Sequence, residues 1–200
     1  MRLSKPLRLG FLASGAGSSA RAMVNAIGAG TLDAEARLLV SNRRESEALG
    51  WAREAGAPAL HIPTLPDADA ADARLAEALA DHGVELVILS GYLRRLGPMT
   101  LKAYEGRILN IHPGPLPAFG GEGMYGAAVH RAVIAAGLRE TAIVVHGVDA
   151  IYDHGPEIAR RTVAIEAGDT AETLEARVKA LEPEFFLKVL RELVSGIRLV

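Results

Sequence analysis

Two kinds of apolar patterning alternate along the chain. Short apolar runs of strand length lie at Arg8–Ser14, Ala36–Asn42, Pro58–Pro63, Val84–Ser90, Arg107–His112 and Thr141–Val148. Val84-Glu-Leu-Val-Ile-Leu-Ser90 is almost continuously apolar, as a parallel strand covered on both faces should be. Between these runs, apolar positions recur every three or four residues. Ala20, Met23, Val24 and Ile27 form one such stripe, and Leu75, Ala76 and Leu79 form another within Asp67–Asp81. Further helices are expected over Glu45–Ala55 and Ala127–Ala136, with a short segment at Met99–Tyr104. Strand-then-helix alternation of this kind predicts an α/β fold whose strands, up to the loop at Asp149, are mostly parallel. Ile158–Ile165 instead alternates residue by residue, which predicts a half-exposed or edge strand.

The longest helix opens at Asp169, with Glu172 three residues on completing a capping box. Leu174, Val178, Leu181, Phe185, Val189 and Leu193 form its inner stripe, and Pro183 should kink it and free the carbonyl of Lys179. No repeat, low-complexity tract or linker interrupts the pattern. One domain over residues 1–200 is expected, with an N-terminal half to about residue 105 and a C-terminal half from about 106.

Composition narrows the function classes. A net charge of -2 and a pI near 6.3 lack the basic excess of a nucleic-acid protein, so no nucleic-acid partner is expected. The absence of cysteine excludes thiolate catalysis, disulfides and cysteine metal sites, and fits a cytoplasmic setting. No apolar stretch reaches the ~18 residues of a membrane span, and Met1–Pro6 leads into glycine-rich sequence rather than a signal peptide. No membrane partner is expected.

Candidate chemistry concentrates at strand ends. In Arg107-Ile-Leu-Asn-Ile-His-Pro-Gly-Pro-Leu-Pro117 a strand stops abruptly at its prolines. Alternation along it puts Asn110 and His112 on one face and Leu109 and Ile111 on the other. The two polar residues either cap the loop or act on a ligand at the carboxyl edge of the sheet. Upstream, Ser14-Gly-Ala-Gly-Ser-Ser19 joins a strand to a helix N-terminus, whose unpartnered N–H groups suit an anion. Gly15, Gly17 and Ala20 also fit the weak dinucleotide pattern. The next strand, however, ends in Ser41-Asn42 and not in the acidic residue a ribose needs, which favours a phosphomonoester. A glycine turn serving only close packing is the alternative. Asp153 follows a later strand and can join Asn110 and His112. An amide donor, an imidazole and a carboxylate without a nucleophilic serine or cysteine point to direct transfer of an acyl-type group between two bound substrates.

Asn110-Ile-His112-Pro113, then Leu116-Pro117, together with Asp153-x-Gly155-Pro156, resemble the folate-dependent formyltransferases. Ser14-Gly-x-Gly-Ser18 and Ala176-Arg-Val-x-x-x-Glu182 narrow the resemblance to the branch that formylates phosphoribosylglycinamide in purine synthesis. It runs from about Leu7 to Glu192. It implies a Rossmann-like, open, mostly parallel sheet with helices on both faces, 10-formyltetrahydrofolate as co-substrate, no metal, and a monomer or homodimer acting on small molecules. It also implies that Asn110 and His112 stabilise a tetrahedral oxyanion while Asp153 pairs with His112 and helps move the proton. Gly15, Gly17, Ser18 and Ser19 match the loop that holds the substrate phosphate, and Lys179 and Glu182 match its ribosylglycinamide contacts. Leu93, Arg94, Arg95, Leu96, Asn110, His146 and Asp149 match the folate side.

The chain departs from the commoner pattern at Ser19, at Gly114-Pro115, and in the longer loop Gly121-Glu-Gly-Met-Tyr-Gly126. A folate-contacting arginine has no clear counterpart near Asp67–Ala71. A formyltetrahydrofolate hydrolase would use the same trio with water as acceptor, and a non-catalytic nucleotide-binding module would need only the glycine loop. A tRNA-directed formyltransferase would need a basic surface. Other residues have plainer readings: Trp51 as packing, His130 and His154 as surface or loop residues, Arg94-Arg95 as a solvated pair, and Arg160-Arg161 as an exposed strand face.

Overall fold

Seven strands form one sheet in the order β3-β2-β1-β4-β5-β6-β7. The computed structural model describes residues 6–196, so Met1–Lys5, part of the segment read as no signal peptide, lie outside the described residues. In chain order the elements are β1 (Leu7–Leu12), α1 (Ser18–Gly28), β2 (Ala34–Ser41), α2 (Glu47–Glu54), β3 (Ala59–His61), α3 (Ala68–Asp81), β4 (Leu86–Leu89), α4 (Pro98–Ala103), β5 (Ile108–His112), α5 (Ala127–Ala135), β6 (Glu140–Gly147), β7 (Glu157–Ala164) and α6 (Ala171–Ser195). The pairings from β3 to β5 are parallel, while β6 runs antiparallel to β5 and β7 antiparallel to β6. This is the expected Rossmann-like open sheet. Among the described residues, no helix is long and apolar enough to cross a membrane.

Strand alternation builds two cores. Leu7, Leu9 and Phe11 of β1, Leu109 and Ile111 of β5, and Ile143 and Val145 of β6 face the larger one, where α1, α2 and α6 cover the sheet. Leu12, Val87, Leu89 and Ile108 face the smaller one, with Ala71, Leu75 and Leu79 of α3. The chain fills β1-β2-β3 in one direction and then crosses to β4 and β5 in the other. The order therefore reverses between β1 and β4, where open α/β sheets form their ligand crevice.

The start of α6 differs from expectation. Its N-cap is Thr170, which accepts from Thr173 N–H while the Thr173 hydroxyl accepts from Thr170 N–H. Asp169 lies one residue before this cap, and its carboxylate pairs with Arg177, each oxygen at 2.8 Å, and accepts from Glu166 N–H and the Thr173 hydroxyl. The helix is continuous past Pro183. Its stripe is buried at Leu174, Val178, Phe185 and Val189 and is widened by fully buried Phe186 and Leu190, with Leu181 and Leu193 only partly covered.

Candidate active site

The glycine loop is built from behind. Gly17 caps α1 with φ of 61°, and a Cβ there would stand 3.1 Å from Ala13 Cβ and 3.2 Å from Ala48 Cβ. A side chain would thus be both strained and crowded. The first turn of α1 holds no acidic residue. By position, Ser18 and Ser19 have backbone N–H groups without intrahelical partners, whereas Ala20 N–H already donates to Ser90 Oγ at 3.1 Å. Trp51 does more than pack: its Nε1–H donates to the Ala16 carbonyl at 2.8 Å and holds the loop from below. A buried indole needs such a partner. That need was the available signal in the sequence, though it could not name the partner.

Across the crevice, β5 and β6 bring the expected polar residues together. Asn110 lies directly opposite His146 in the ladder, and Asn110 Nδ2 stands 3.1 Å from His146 Nε2. His146 Nδ1 lies 2.8 Å from the Gly147 carbonyl, which can only accept, so that nitrogen carries the proton. In the neutral ring Nε2 therefore accepts, Asn110 Nδ2–H donates to it, and the amide is oriented with one N–H left over. His112 is buried on the same strand face, and its Nε2 lies 2.8 Å from the Phe119 carbonyl. The same logic places its proton on Nε2 and leaves Nδ1 as the basic atom. That Nδ1 is 3.5 Å from Asp153 Oδ2, and Asp153 Oδ1 is 3.5 Å from His146 Nε2.

Asp153 is held there by backbone. It is the only non-glycine residue with positive φ among the described residues, at 53°. Its Oδ2 accepts Gly121 N–H at 3.0 Å. Gly147 N–H donates to the Pro156 carbonyl at 2.9 Å, which folds the intervening loop back onto β6. Gly155 makes that return possible, since a Cβ there would stand 2.0 Å from the Gly147 carbonyl oxygen. The long glycine segment thus clamps the centre from above through the Phe119 carbonyl and the Gly121 amide. Backbone groups carry no side-chain signature, and neither contact was foreseeable.

Burial lowers the pKa of His112 despite the opposing pull of Asp153 and the Phe119 carbonyl, so the resting imidazole is neutral near pH 7. Burial also works against ionisation of Asp153. The Gly121 N–H and the two imidazoles beside the carboxyl outweigh it and hold Asp153 below its ordinary value.

The other expected residues divide. Glu182 on α6 has no hydrogen bond among the described residues, and burial pushes its carboxyl up to about 7, with Lys179 opposing and Glu175 adding. Lys179 is paired with Glu175 at 2.5 Å. Leu96 is buried and Leu93 half-exposed on the loop after β4. Arg95 is not simply solvated. Its Nη2 donates to the Ala150 carbonyl at 2.7 Å and its guanidinium lies over the Tyr152 ring, joining that loop to the Asp153 loop. Arg94 acts on Tyr92, where its charge opposes a burial-driven rise of the phenol pKa to about 12. Asp149 turns to its own loop, accepting from Ile151 N–H and pairing with exposed His154 at 2.9 Å. Arg160, read as an exposed face, also donates to the Leu116 carbonyl at 2.9 Å and so braces the proline-rich loop after β5.

His130 corrects the surface reading. It is fully buried on α5, and neither ring nitrogen has a hydrogen-bond partner. Burial lowers its pKa, with Glu175 pulling up and Lys179 and His112 pushing down. Below the ordinary value of 6.5 the unfolded chain takes up a proton that the folded one resists, so this residue costs stability as the pH falls. His130→Leu is therefore expected to raise stability by about 1 kcal/mol at pH 7 and by more at pH 5.5. Denaturant unfolding at the two pH values measures it.

The family model for formyl transferase matches residues 7–190. A chloroplastic phosphoribosylglycinamide formyltransferase of Vigna unguiculata is 38% identical over 188 residues, which cover 93% of this chain and 60% of that protein. With an Arabidopsis thaliana relative covered to 63%, the chain spans about three fifths of the length of these plant proteins. The phosphoribosylglycinamide formyltransferase of Bacillus subtilis is 36% identical over 195 residues, covering 94% of this chain and 95% of the relative. The crystal structure of glycinamide ribonucleotide transformylase 1 from Symbiobacterium toebii superposes with a TM-score of 0.87 at 36% identity, over 95% of this chain and 88% of that one. With its fold, its strand-end polar cluster and these likenesses, the chain belongs to the formyl transferase family, among the phosphoribosylglycinamide formyltransferases.

Proposed function

We propose that this protein transfers the formyl group of 10-formyltetrahydrofolate to the amine of 5-phosphoribosylglycinamide, a step of purine synthesis. The observation that carries the reading is the meeting of Asn110, His112 and Asp153, drawn from two places on β5 and a separate loop, beside a helix N-terminus free to take a phosphate. The acceptor amine attacks the formyl carbon, forming a C–N bond and leaving the carbonyl oxygen negative. The spare Asn110 N–H donates to that oxygen. His112 Nδ1 takes up the proton shed by the amine, and Asp153 stabilises the resulting imidazolium, whose charge also faces the oxyanion. Collapse breaks the bond to the folate nitrogen, which takes the proton back from the His112 imidazolium and returns the ring to its neutral form. Position supplies the rest, since both substrates are held and neither bonds covalently to the protein.

Gly15, Gly17, Ser18 and Ser19 take the acceptor phosphate in this reading, and Glu182 and Lys179 take its ribosylglycinamide portion. Leu93, Arg94, Arg95, Leu96, His146 and Asp149 belong to the folate side, with His146 acting by orienting the Asn110 amide. Both partners are small molecules, the setting is the cytoplasm, and the assembly is a monomer or homodimer. Mass spectrometry of the acceptor after incubation with both substrates tests the reaction: formyl on its amine nitrogen is expected. Consumption of the donor with the acceptor unchanged would instead mark a hydrolase.

Glu182 adds a pH dependence. A carboxylate that accepts from acceptor hydroxyls binds best when ionised, and its pKa is about 7. The Kd for the acceptor should rise by up to about tenfold per pH unit as the pH falls below that value. Glu182→Gln should weaken binding and flatten the profile, as calorimetry across pH 6 to 8 would read.

A further inference from the structure

Ser14 lies just past β1 and is almost wholly buried. Its hydroxyl accepts Leu93 N–H at 2.8 Å and stands 2.6 Å from Asn42 Oδ1. Its own N–H donates to the Gly91 carbonyl at 3.0 Å. An N–H can only donate, so the single hydroxyl proton goes to Asn42 Oδ1, which fixes that amide as well. One small side chain therefore ties three segments: the start of the glycine loop, the end of β2, and the loop after β4.

The other anchors of those segments do not pass through this hydroxyl. The glycine loop keeps the Trp51 bond to Ala16 and the bond from Ala48 N–H to the Gly15 carbonyl at 3.1 Å. The loop after β4 is held at its far side by Arg95 to Ala150, beside the Asp153 loop. Removing the Ser14 hydroxyl takes away the acceptor of the Leu93 N–H and loosens that loop at Leu93, while Gly91 stays tied by the Ser14 N–H and the glycine loop stays supported.

We propose that Ser14 is a positioning residue for formyl transfer, setting the distance between the phosphate loop and the folate-side loop so that donor and acceptor meet in register. The proposal rests on the formyl-transfer reading above. It separates the two substrates' responses, because the bond lost from the loops is the one to Leu93 on the donor side. A shift of about 1 Å is enough to cost orders of magnitude in rate.

Trp51 is the only tryptophan and touches the glycine loop, so its fluorescence reports phosphate-ligand binding there. Wild type, Ser14→Ala and Asn42→Ala are titrated with ribose 5-phosphate by this signal and with tetrahydrofolate by calorimetry, and turnover is measured with both substrates. For Ser14→Ala the donor KM and the tetrahydrofolate Kd should rise about tenfold and kcat should fall, with the ribose 5-phosphate Kd within about twofold of wild type. Asn42→Ala leaves the hydroxyl able to accept from Leu93 and should move in the same direction by about threefold, which keeps the test open if the first variant folds poorly. Unchanged tetrahydrofolate binding in both folded variants overturns the proposal, and so does an equal loss for both ligands, which would mean general damage to the glycine loop. Wild-type protein that binds no tetrahydrofolate fails earlier and removes the formyl-transfer reading itself.

Discussion

His112→Ala is expected to lower kcat for formyl transfer by about 10²–10⁴-fold, the usual worth of a positioned proton acceptor, with thermal stability close to wild type. The ring is neutral at rest, its Nε2–H is committed to the Phe119 carbonyl, and its free Nδ1 faces Asp153. Its loss removes both the proton acceptor and the charge that builds beside the oxyanion. Asp153→Asn should act through the same imidazole, with a comparable fall and little change in acceptor KM. A carboxamide can keep the Gly121 contact but cannot stabilise an imidazolium. Because the two residues work as a unit, the double variant should lose little more than the worse single. Steady-state kinetics of the three proteins checks this, and near-normal turnover in either single variant would sink the mechanism.

Gly155→Ala is expected to be the most damaging single methyl group in the molecule. A Cβ would stand 2.0 Å from the Gly147 carbonyl oxygen and 2.6 Å from its carbon, both in backbone of the neighbouring strand. No side-chain rotation relieves such a contact. Either β6 yields, disturbing His146 and its hold on Asn110, or the loop lifts and carries Asp153 away from His112. Activity should fall by about 10²-fold or more and stability by about 3 kcal/mol or more, in the range where a named steric cause is required. Tetrahydrofolate binding, thermal unfolding and turnover on the same preparation read the effect. Wild-type-like behaviour in all three would mean the loop is not seated as described.

The two variants also divide what the sequence could reveal from what it could not. Asn110 and His112 were legible because a strand alternates and prolines mark where it stops, so a shared face at a sheet edge needed only counting. The alternation of helix and strand periods showed a mostly parallel sheet but not the order of its strands, which is set by non-local pairing. The partner of Asn110 was not, since its bond to His146 depends on the antiparallel register of β5 and β6, a non-local pairing that no spacing encodes. The Phe119 carbonyl and the Gly121 amide are peptide groups every residue possesses. The cap of α6 falls at Thr170 and not at Asp169 for a related reason. Both residues can cap, and the position taken depends on the reciprocal Thr170–Thr173 bonds and on the pairing of Asp169 with Arg177, two turns further on. A polar side chain on a short helix usually lies at the surface, which is the expectation that His130 departs from. Its burial follows from how α5 leans on α6, which local sequence does not state.

Formyl transfer requires that donor consumption depend on the acceptor amine. Purified protein is mixed with 10-formyltetrahydrofolate, with and without 5-phosphoribosylglycinamide, and the initial rate of tetrahydrofolate release is followed in each. Release that occurs only with the acceptor, and that disappears in His112→Ala, is the predicted result. Release at the same rate in both tubes, or in neither, would contradict it.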